Sequence, residues 1–285
     1  MTLVVFGRTG QVATELSRLK DVRVVGRDEA DLSDLEALSA FAKNVSATAF
    51  VNAAAYTDVD GAETDEALAT RINGHAPGLL AKVAAERGVP FVHLSTDYVF
   101  DGSGSAPWQP HDTPRPLSAY GRGKLAGENA VQAAGGAYAI LRTSWIFSAH
   151  GRNFVKTMLR LAQDRSRLDV VDDQVGGPTP ARDMAAACLK IVAGLSADKD
   201  RSGTYHFSGA PDLSWADFAT AIFAAARCEV DVVRVPTTAF PRPAVRPLNS
   251  RLDCAATEAT FGVAQPDWHA GLLQVLSELA ESRAA

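Results

Sequence analysis

Cysteine is scarce in this chain. Its 285 residues hold three, Cys188, Cys228 and Cys254, scattered and without a Cys-x-x-Cys pair. That excludes a disulfide-stapled scaffold and reads as the reduced thiols of a cytoplasmic protein. Positive charge is short too, with 28 Lys and Arg against 33 Asp and Glu and a net charge of −5. No general field draws such a chain to nucleic acid or to an anionic membrane, so any phosphate must be held by local arginines and helix N-termini. Apolar runs near the ~18 residues of a membrane span are lacking. The opening Met1-Thr2-Leu3-Val4-Val5-Phe6 is too short for a signal segment. The six histidines lack metal-ligand spacing, so no metal site is assigned from them. Repeats, low-complexity tracts and flexible linkers are missing as well, which predicts two halves packed tightly together.

The first half alternates short apolar runs with amphipathic stretches. The runs fall at 3–6, 22–26, 49–52, 91–95 and 139–142. Between them, 11–20 sets Val12, Leu16 and Leu19 on one helical face, and 67–87 does the same through Ile72, Leu79, Leu80 and Val83. Ser33, with Glu36 three residues on, predicts a capping box. Buried runs separated by helices imply an α/β fold, a Rossmann-type doubly wound parallel sheet. The second half is less regular. Residues 169–180 read as loop, 181–195 as helix, 215–227 as a helix entered through Ser214, 236–247 as a proline-rich loop, and 272–279 as a terminal helix. The expected division is a dinucleotide-binding domain over 1–149, with 181–200 returning to it. A smaller, interleaved C-terminal substrate-binding domain then takes most of 150–285.

Chemistry-bearing residues cluster after the strands. Gly7-Arg8-Thr9-Gly10-Gln11-Val12-Ala13 joins the first strand to the first helix. Glycines allow a tight turn and close approach to a pyrophosphate, and the helix N-terminus supplies N–H donors. An ordinary βα turn is the plainer alternative. After the second strand stand Arg27, Asp28, Asp31 and Leu32. An acid there holds a ribose 2′-hydroxyl, whereas arginines such as Arg8 and Arg27 take a 2′-phosphate, favouring NADPH over NADH. The small residues of Asn52-Ala53-Ala54-Ala55-Tyr56 leave room for a flat ring across the strand ends. Ser95-Thr96-Asp97-Tyr98 puts hydroxyls at the same edge. Tyr120 and Lys124 lie four apart, slightly more than one helical turn, so both leave one face. An ammonium beside a phenol favours the phenolate. Lowering a tyrosine pKa from about 10 to about 7 needs on the order of 4 kcal/mol of differential interaction.

Together these residues carry a resemblance. Gly-x-x-Gly-x-x-Ala, Thr96 and Tyr120-x-x-x-Lys124 are similar to the extended short-chain dehydrogenase/reductase superfamily. Segments 7–11, 54–63, 95–102, 142–154, 172–179 and 246–253 resemble the dTDP-4-dehydrorhamnose reductases within it. The resemblance implies a catalytic triad of Thr96, Tyr120 and Lys124, with Lys124 on the nicotinamide ribose. It implies hydride from NADPH, with NADH also accepted, to the C4 ketone of a nucleotide sugar, and protonation by Tyr120. Tyr98 and Trp145 would border the sugar, Asn249 and Arg251 the nucleotide, Asp31 and Leu32 the adenine, and Arg8 its ribose. From the residues alone, Trp145 could instead be core, Arg251 a surface cation, Asp97 a loop cap rather than a substrate contact, and Asn73 an ordinary helix-face residue. Some members of the family use magnesium-bridged dimers built on glutamates. Glu15 fits that pattern, but Arg182-Asp183-Met184 offers no partner glutamate, so the expectation is no metal and a monomer or weak homodimer.

Two rivals stay in view. A dehydratase or epimerase keeps the fold, yet dehydratases of this superfamily follow the threonine with Asp-Glu, where this chain has Asp97-Tyr98. A regulatory subunit similar to that of methionine adenosyltransferase would dispense with catalysis. The C-terminal residues 278–285 offer little apolar surface for docking.

Overall fold

Short, mainly apolar runs make the innermost strands. In the computed structural model, which describes residues 2–284, Leu3–Phe6 (β1) is buried at every position. Arg23–Val25 (β2) lies beside it, and Ala49–Asn52 (β3), also buried throughout, pairs on its other side. Phe91–Thr96 (β4), Tyr138–Thr143 (β5) and a sixth strand, Gly203–His206, complete the sheet. The order is β2-β1-β3-β4-β5 and then the sixth strand, all parallel. Strands buried on both faces are what a helix-covered parallel sheet requires. Chain order reverses between β1 and β3, and such a switch opens a crevice at the carboxyl ends of the strands.

Helices Gln11–Leu19 and Ala181–Ala197 cover one face, burying Val12, Leu16, Met184, Cys188 and Ile191 against Val5, Val51 and Leu141. Leu35–Asn44, Ala76–Glu86 and the Val131 end of Ala119–Ala134 cover the other, over Phe6, Phe50 and Phe91. Each fully buried Leu or Phe contributes about 1.5–3 kcal/mol. A third apolar cluster joins Phe147, Phe218, Trp268 and Leu272 beneath helices Phe154–Leu161, Trp215–Ala226 and Trp268–Ala284. The second half therefore sends one helix and one strand back to the sheet and builds a smaller cluster with the rest.

Three local expectations change. Ser33 is not a cap: its amide and hydroxyl both donate to Asp31 Oδ1 at 2.8 Å, and Asp34 caps the next helix by accepting the Ala37 N–H. The expected 67–87 helix is two helices, Glu66–Thr70 and Ala76–Glu86, joined by a π-helical turn over Arg71–His75. That turn holds Asn73 in a buried position, and π-turns often mark working sites. Within the expected 169–180 loop, Arg167–Val171 forms a strand paired in parallel with Asp231–Val235. Its apolar residues, Leu168 and Val170, alternate inward, a period of two that the flanking Asp and Gly residues hide. Ser214 does cap Trp215–Ala226, in a reciprocal box with Asp217.

Candidate active site

The glycine loop follows β1 directly. Gly7 has φ +115°, and a Cβ there would lie 3.1 Å from the Ala54 nitrogen. Only glycine permits both that backbone conformation and that approach. Gly10 precedes the first helix without a side-chain cap, so the first-turn N–H groups remain available to an anion. Gln11 ties this loop to the segment after β5: its Nε2 donates to Ile146 O at 3.3 Å, while its Oε1 accepts from Ser148 at 2.8 Å and Asn153 at 2.9 Å. Thr9 is exposed, whereas the Val12 side chain is buried, leaving Val12 its backbone alone to offer. Uncapped helix N–H groups beside a glycine at positive φ suit a dinucleotide diphosphate.

Arg8, expected at the adenine ribose, pairs with acids just past the second strand. It donates to both Asp28 oxygens at 2.9 and 2.8 Å and also pairs with Glu29. Those partners lie 20 and 21 residues away in sequence, and the β1–β2 pairing brings them alongside. Arg27 is exposed. Two bonds from Ser33 hold the Asp31 carboxyl below its ordinary range, and Leu32 is buried in the core. Ala53, Ala54, Ala55 and Tyr56 are half-buried along the switch-point crevice. Asn73 fixes the end of that segment, accepting the Tyr56 N–H at 2.8 Å and donating to Tyr56 O at 3.0 Å. It is a clamp on the strand end.

Thr96 ends β4 and caps the short turn Asp97–Val99, accepting the Tyr98 N–H at 3.2 Å. Its hydroxyl donates to Asp97 Oδ1 at 3.1 Å. Asp97 Oδ2 is buried with no partner, and burial pushes the carboxyl up to about 6, against bonds from Ser250 and Thr96. Ser118 caps the 119–134 helix by accepting the Gly121 N–H, and this helix carries Tyr120 to Thr96. Tyr98 and Tyr120 meet edge to face, ring centroids 5.6 Å apart. Burial and the Asp97 charge also push the Tyr98 phenol up.

The expected acidic tyrosine is overturned. Burial, then the Asp97 charge, push Tyr120 up to about 12, and a hydrogen bond with Thr96 offsets this only in part. Lys124 turns away, donating to Leu94 O at 2.6 Å and meeting His93 Nε2 at 3.4 Å. Burial draws its own pKa down to about 8, against the opposing charge of Glu128. The i, i+4 spacing gives a shared face, but it does not say where a flexible lysine finds its partners.

Trp145, just past β5, is half-buried with φ +51° and stacks on Trp215 at 3.6 Å with an interplanar angle of 12°. A non-glycine residue held in the left-handed region is a strained one. Trp215 in turn donates its Nε1 to Gln174 at 3.2 Å. Asn249 is buried and braces the neighbourhood: its Nδ2 donates to Ala106 O at 2.8 Å and Ser103 O at 3.3 Å, and its Oδ1 accepts from Arg251 at 3.0 Å. Asn249 orients Arg251 and is itself fully engaged.

Sequence reasoning missed Asn52, His93, Trp215, Ser250 and the Arg246–Asp60 pair, whose closest contact is 2.9 Å. A buried polar pair on adjacent strands is the one signal that could have flagged Asn52 and His93. Away from the site, Glu15, His150 and Glu278 place possible ligand atoms within 4.8 Å of one another among the described residues. Arg18 sits among them, 3.1 Å from Glu15, 2.7 Å from Glu278 and 3.1 Å from His150, supplying positive charge there. Among the described residues, no helix is long and apolar enough to cross a membrane.

Comparisons with known proteins identify the family. The family profile described as RmlD substrate binding domain matches residues 1–281. A dTDP-4-dehydrorhamnose reductase of Burkholderia thailandensis is 43% identical, over 94% of this chain and 95% of its own length. A crystal structure of a dTDP-4-dehydrorhamnose reductase from Clostridium acetobutylicum superposes with a TM-score of 0.92 at 36% identity, covering 98% of this chain and 100% of that one. The Bacillus anthracis enzyme of the same name, solved in complex with NADP, gives 0.91 at 32% identity, covering 97% and 99%. A full-length profile match and relatives alike from end to end leave one conclusion: this chain belongs to the dTDP-4-dehydrorhamnose reductase family.

Proposed function

We propose that this chain reduces the C4 ketone of dTDP-4-dehydro-L-rhamnose to give dTDP-L-rhamnose, oxidising NADPH. One observation carries the reading. Thr96 and Tyr120 meet at the carboxyl edge of the sheet beside Asp97, whose unpartnered buried oxygen suits a ligand hydroxyl, and Lys124 follows Tyr120 by one helical turn. NADPH, when bound, supplies the hydride that reduces the ketone carbon. Gly7, Gly10 and the first-turn N–H groups would hold its diphosphate, with Ala53, Ala54, Ala55 and Tyr56 beside its ring and Lys124 on its ribose. Thr96 would orient the carbonyl oxygen, and Tyr120 would give it a proton.

A phenol held up to about 12 keeps its proton at neutral pH. A secondary alkoxide is more basic than a phenolate, so the transfer from Tyr120 runs downhill. The phenolate left behind then needs positive charge nearby, which is the work of Lys124 in its ammonium form. Asp97 acts in the opposite sense, since its charge keeps Tyr120 protonated beforehand. An elimination would want a further acid after Asp97, and Tyr98, pushed up by burial, is a poor one. A purely regulatory role gives no account of the strained Trp145 and the orphaned Asp97 oxygen facing the same edge.

Residues 1–149 with 181–200 serve the cofactor in this reading, and most of 150–285 serves the sugar nucleotide. Trp145 and Tyr98 border the sugar, and Arg251, aimed by Asn249, meets the nucleotide. The three free cysteines favour the cytoplasm. Arg18 already balances the Glu15–Glu278 cluster, which favours a monomer or weak homodimer working without magnesium. The test is loss of reduced-nicotinamide absorbance with the 4-keto sugar nucleotide. Tyr120→Phe should lower kcat by about 10²–10⁴-fold with NADPH affinity nearly unchanged. Full turnover in that variant would remove Tyr120 as the proton donor.

A further inference from the structure

Asn52 on β3 stands opposite His93 on β4, and both side chains are completely buried. The hydrogen bonds around them have a definite direction. Ala54 N–H donates to Asn52 Oδ1 at 3.2 Å, which fixes the acceptor end of that amide. The other end, Nδ2, therefore faces His93 Nδ1 at 3.2 Å. An amide nitrogen can only donate, so Nδ1 accepts and the imidazole proton sits on Nε2. Nε2 lies 3.4 Å from Lys124 Nζ. An imidazole N–H can only donate there, and a lysine nitrogen accepts only as the neutral amine. Lys124 keeps an N–H for Leu94 O at 2.6 Å. Every bond runs one way, from Ala54 through Asn52 and His93 to Lys124 and then to Leu94.

Resting on the reading of Lys124 as a catalytic residue, we propose that Asn52 and His93 are positioning residues that hold Lys124 as the neutral amine until a bound cofactor claims the Ala54 N–H. With that N–H engaged elsewhere, Asn52 Oδ1 is freed and the amide can turn over to face His93. The imidazole proton then moves to Nδ1, where Asn52 Oδ1 accepts it. Nε2 gains a lone pair, and Lys124 takes one proton from solvent to become the ammonium, donating to Nε2. His93 stays neutral throughout. Ala54 is well placed to sense the cofactor, because its nitrogen packs directly against Gly7 of the glycine loop. Burial, joined by the Lys124 charge once the ammonium forms, keeps the His93 pKa well below the ordinary 6.5, so the ring shifts tautomer rather than charging. From its own helix, Glu128 opposes the neutral amine, and the resulting lysine pKa of about 8 leaves either state within reach at working pH.

The direct test is nitrogen NMR of His93 in the ¹⁵N-labelled full chain, with and without NADP⁺, at about pH 9, above the free chain's lysine pKa of about 8. The proposal expects the Nε2–H tautomer alone and the Nδ1–H tautomer with NADP⁺. An Nδ1–H ring before cofactor is added, or no change after, overturns it. Calorimetry of NADPH binding at pH 8, in buffers of different ionisation heat, should show uptake of about half a proton per site. Asn52→Leu removes the donor that fixes the tautomer without adding charge. It should abolish most of that uptake and move the alkaline limb of kcat/KM up by about one pH unit. Asn52→Asp should move the limb in the same direction. Uptake in Asn52→Leu equal to the parent's overturns the proposal, whereas a role in packing alone lowers kcat and leaves the limb in place. If Asn52→Leu does not fold, the tautomer in the parent chain decides. Loss of the sugar-nucleotide activity assignment would leave the NMR result standing, so the two readings fail separately.

Discussion

Lys124 and Glu128 lie one turn apart on the same helix, both buried, and their surroundings differ entirely. Glu128 meets Arg142 through three contacts, of 3.0, 3.1 and 2.6 Å, and accepts a further bond from Ser95. Arg142 in turn lies over the Phe100 ring at 4.9 Å and donates to Pro110 O. Lys124 has only a carbonyl and an imidazole, both neutral. A buried charge with a matched counter-charge is held in that state and serves the fold. One given only neutral dipoles is left able to titrate near neutrality, which is the condition proton chemistry needs. One helix thus carries a structural ion and a working one, their Cβ atoms about 5–6 Å apart by helix geometry.

Breaking the structural member should have the largest effect. Glu128→Ala leaves Arg142 buried and unpaired and should destabilise the chain by about 3–5 kcal/mol, read as a lower urea midpoint. Lys124→Met attacks the other member. It should reduce kcat/KM on the order of 100-fold, about 2.7 kcal/mol, while leaving the urea midpoint equal or higher. A midpoint that fell as far as in Glu128→Ala would erase the distinction.

The pH dependence of stability sharpens it further. Lys124 has a folded pKa of about 8, below its model-compound value of 10.5, so the unfolded chain binds the proton more tightly. Between about pH 8 and 10.5 the unfolded chain therefore holds more protons, and the Lys124 contribution to stability rises with pH there. Lys124→Met should flatten that rise. Asp97 has the opposite sign, with a folded pKa of about 6 against 3.8, so its contribution falls as pH rises through that window. Trp215→Ala should be milder, raising KM for the sugar nucleotide about tenfold by releasing Trp145 from its stack, with kcat little changed. Smallest of all, EDTA should leave turnover unchanged, because Arg18 supplies the positive charge at Glu15 and Glu278.

Much of this was readable from the chain. The five runs at 3–6, 22–26, 49–52, 91–95 and 139–142 became strands within a residue or two, because burial on both faces demands continuous apolar sequence. The Gly7 loop and the shared face of Tyr120 and Lys124 were legible for the same kind of reason, being set within a turn or two of backbone. Residues 67–87 were read as a single helix because the π-turn that divides them leaves the apolar period nearly intact. The Arg8 pairing was not legible because Asp28 and Glu29 are equally suited, by residue type, to solvent.

Sequence alone determined five of the sheet's six strands, most of the helices that cover them and the residue types at its carboxyl edge, since these follow from hydrophobic period and from short spacings along the backbone. Tertiary structure decided which protons those residues carry. Asn52 is 41 residues from His93 and Lys124 is 31, and no local rule orients one toward another. Tyr120 rises and Lys124 falls because both are taken out of water by segments distant in the chain, and desolvation is a property of the packed molecule.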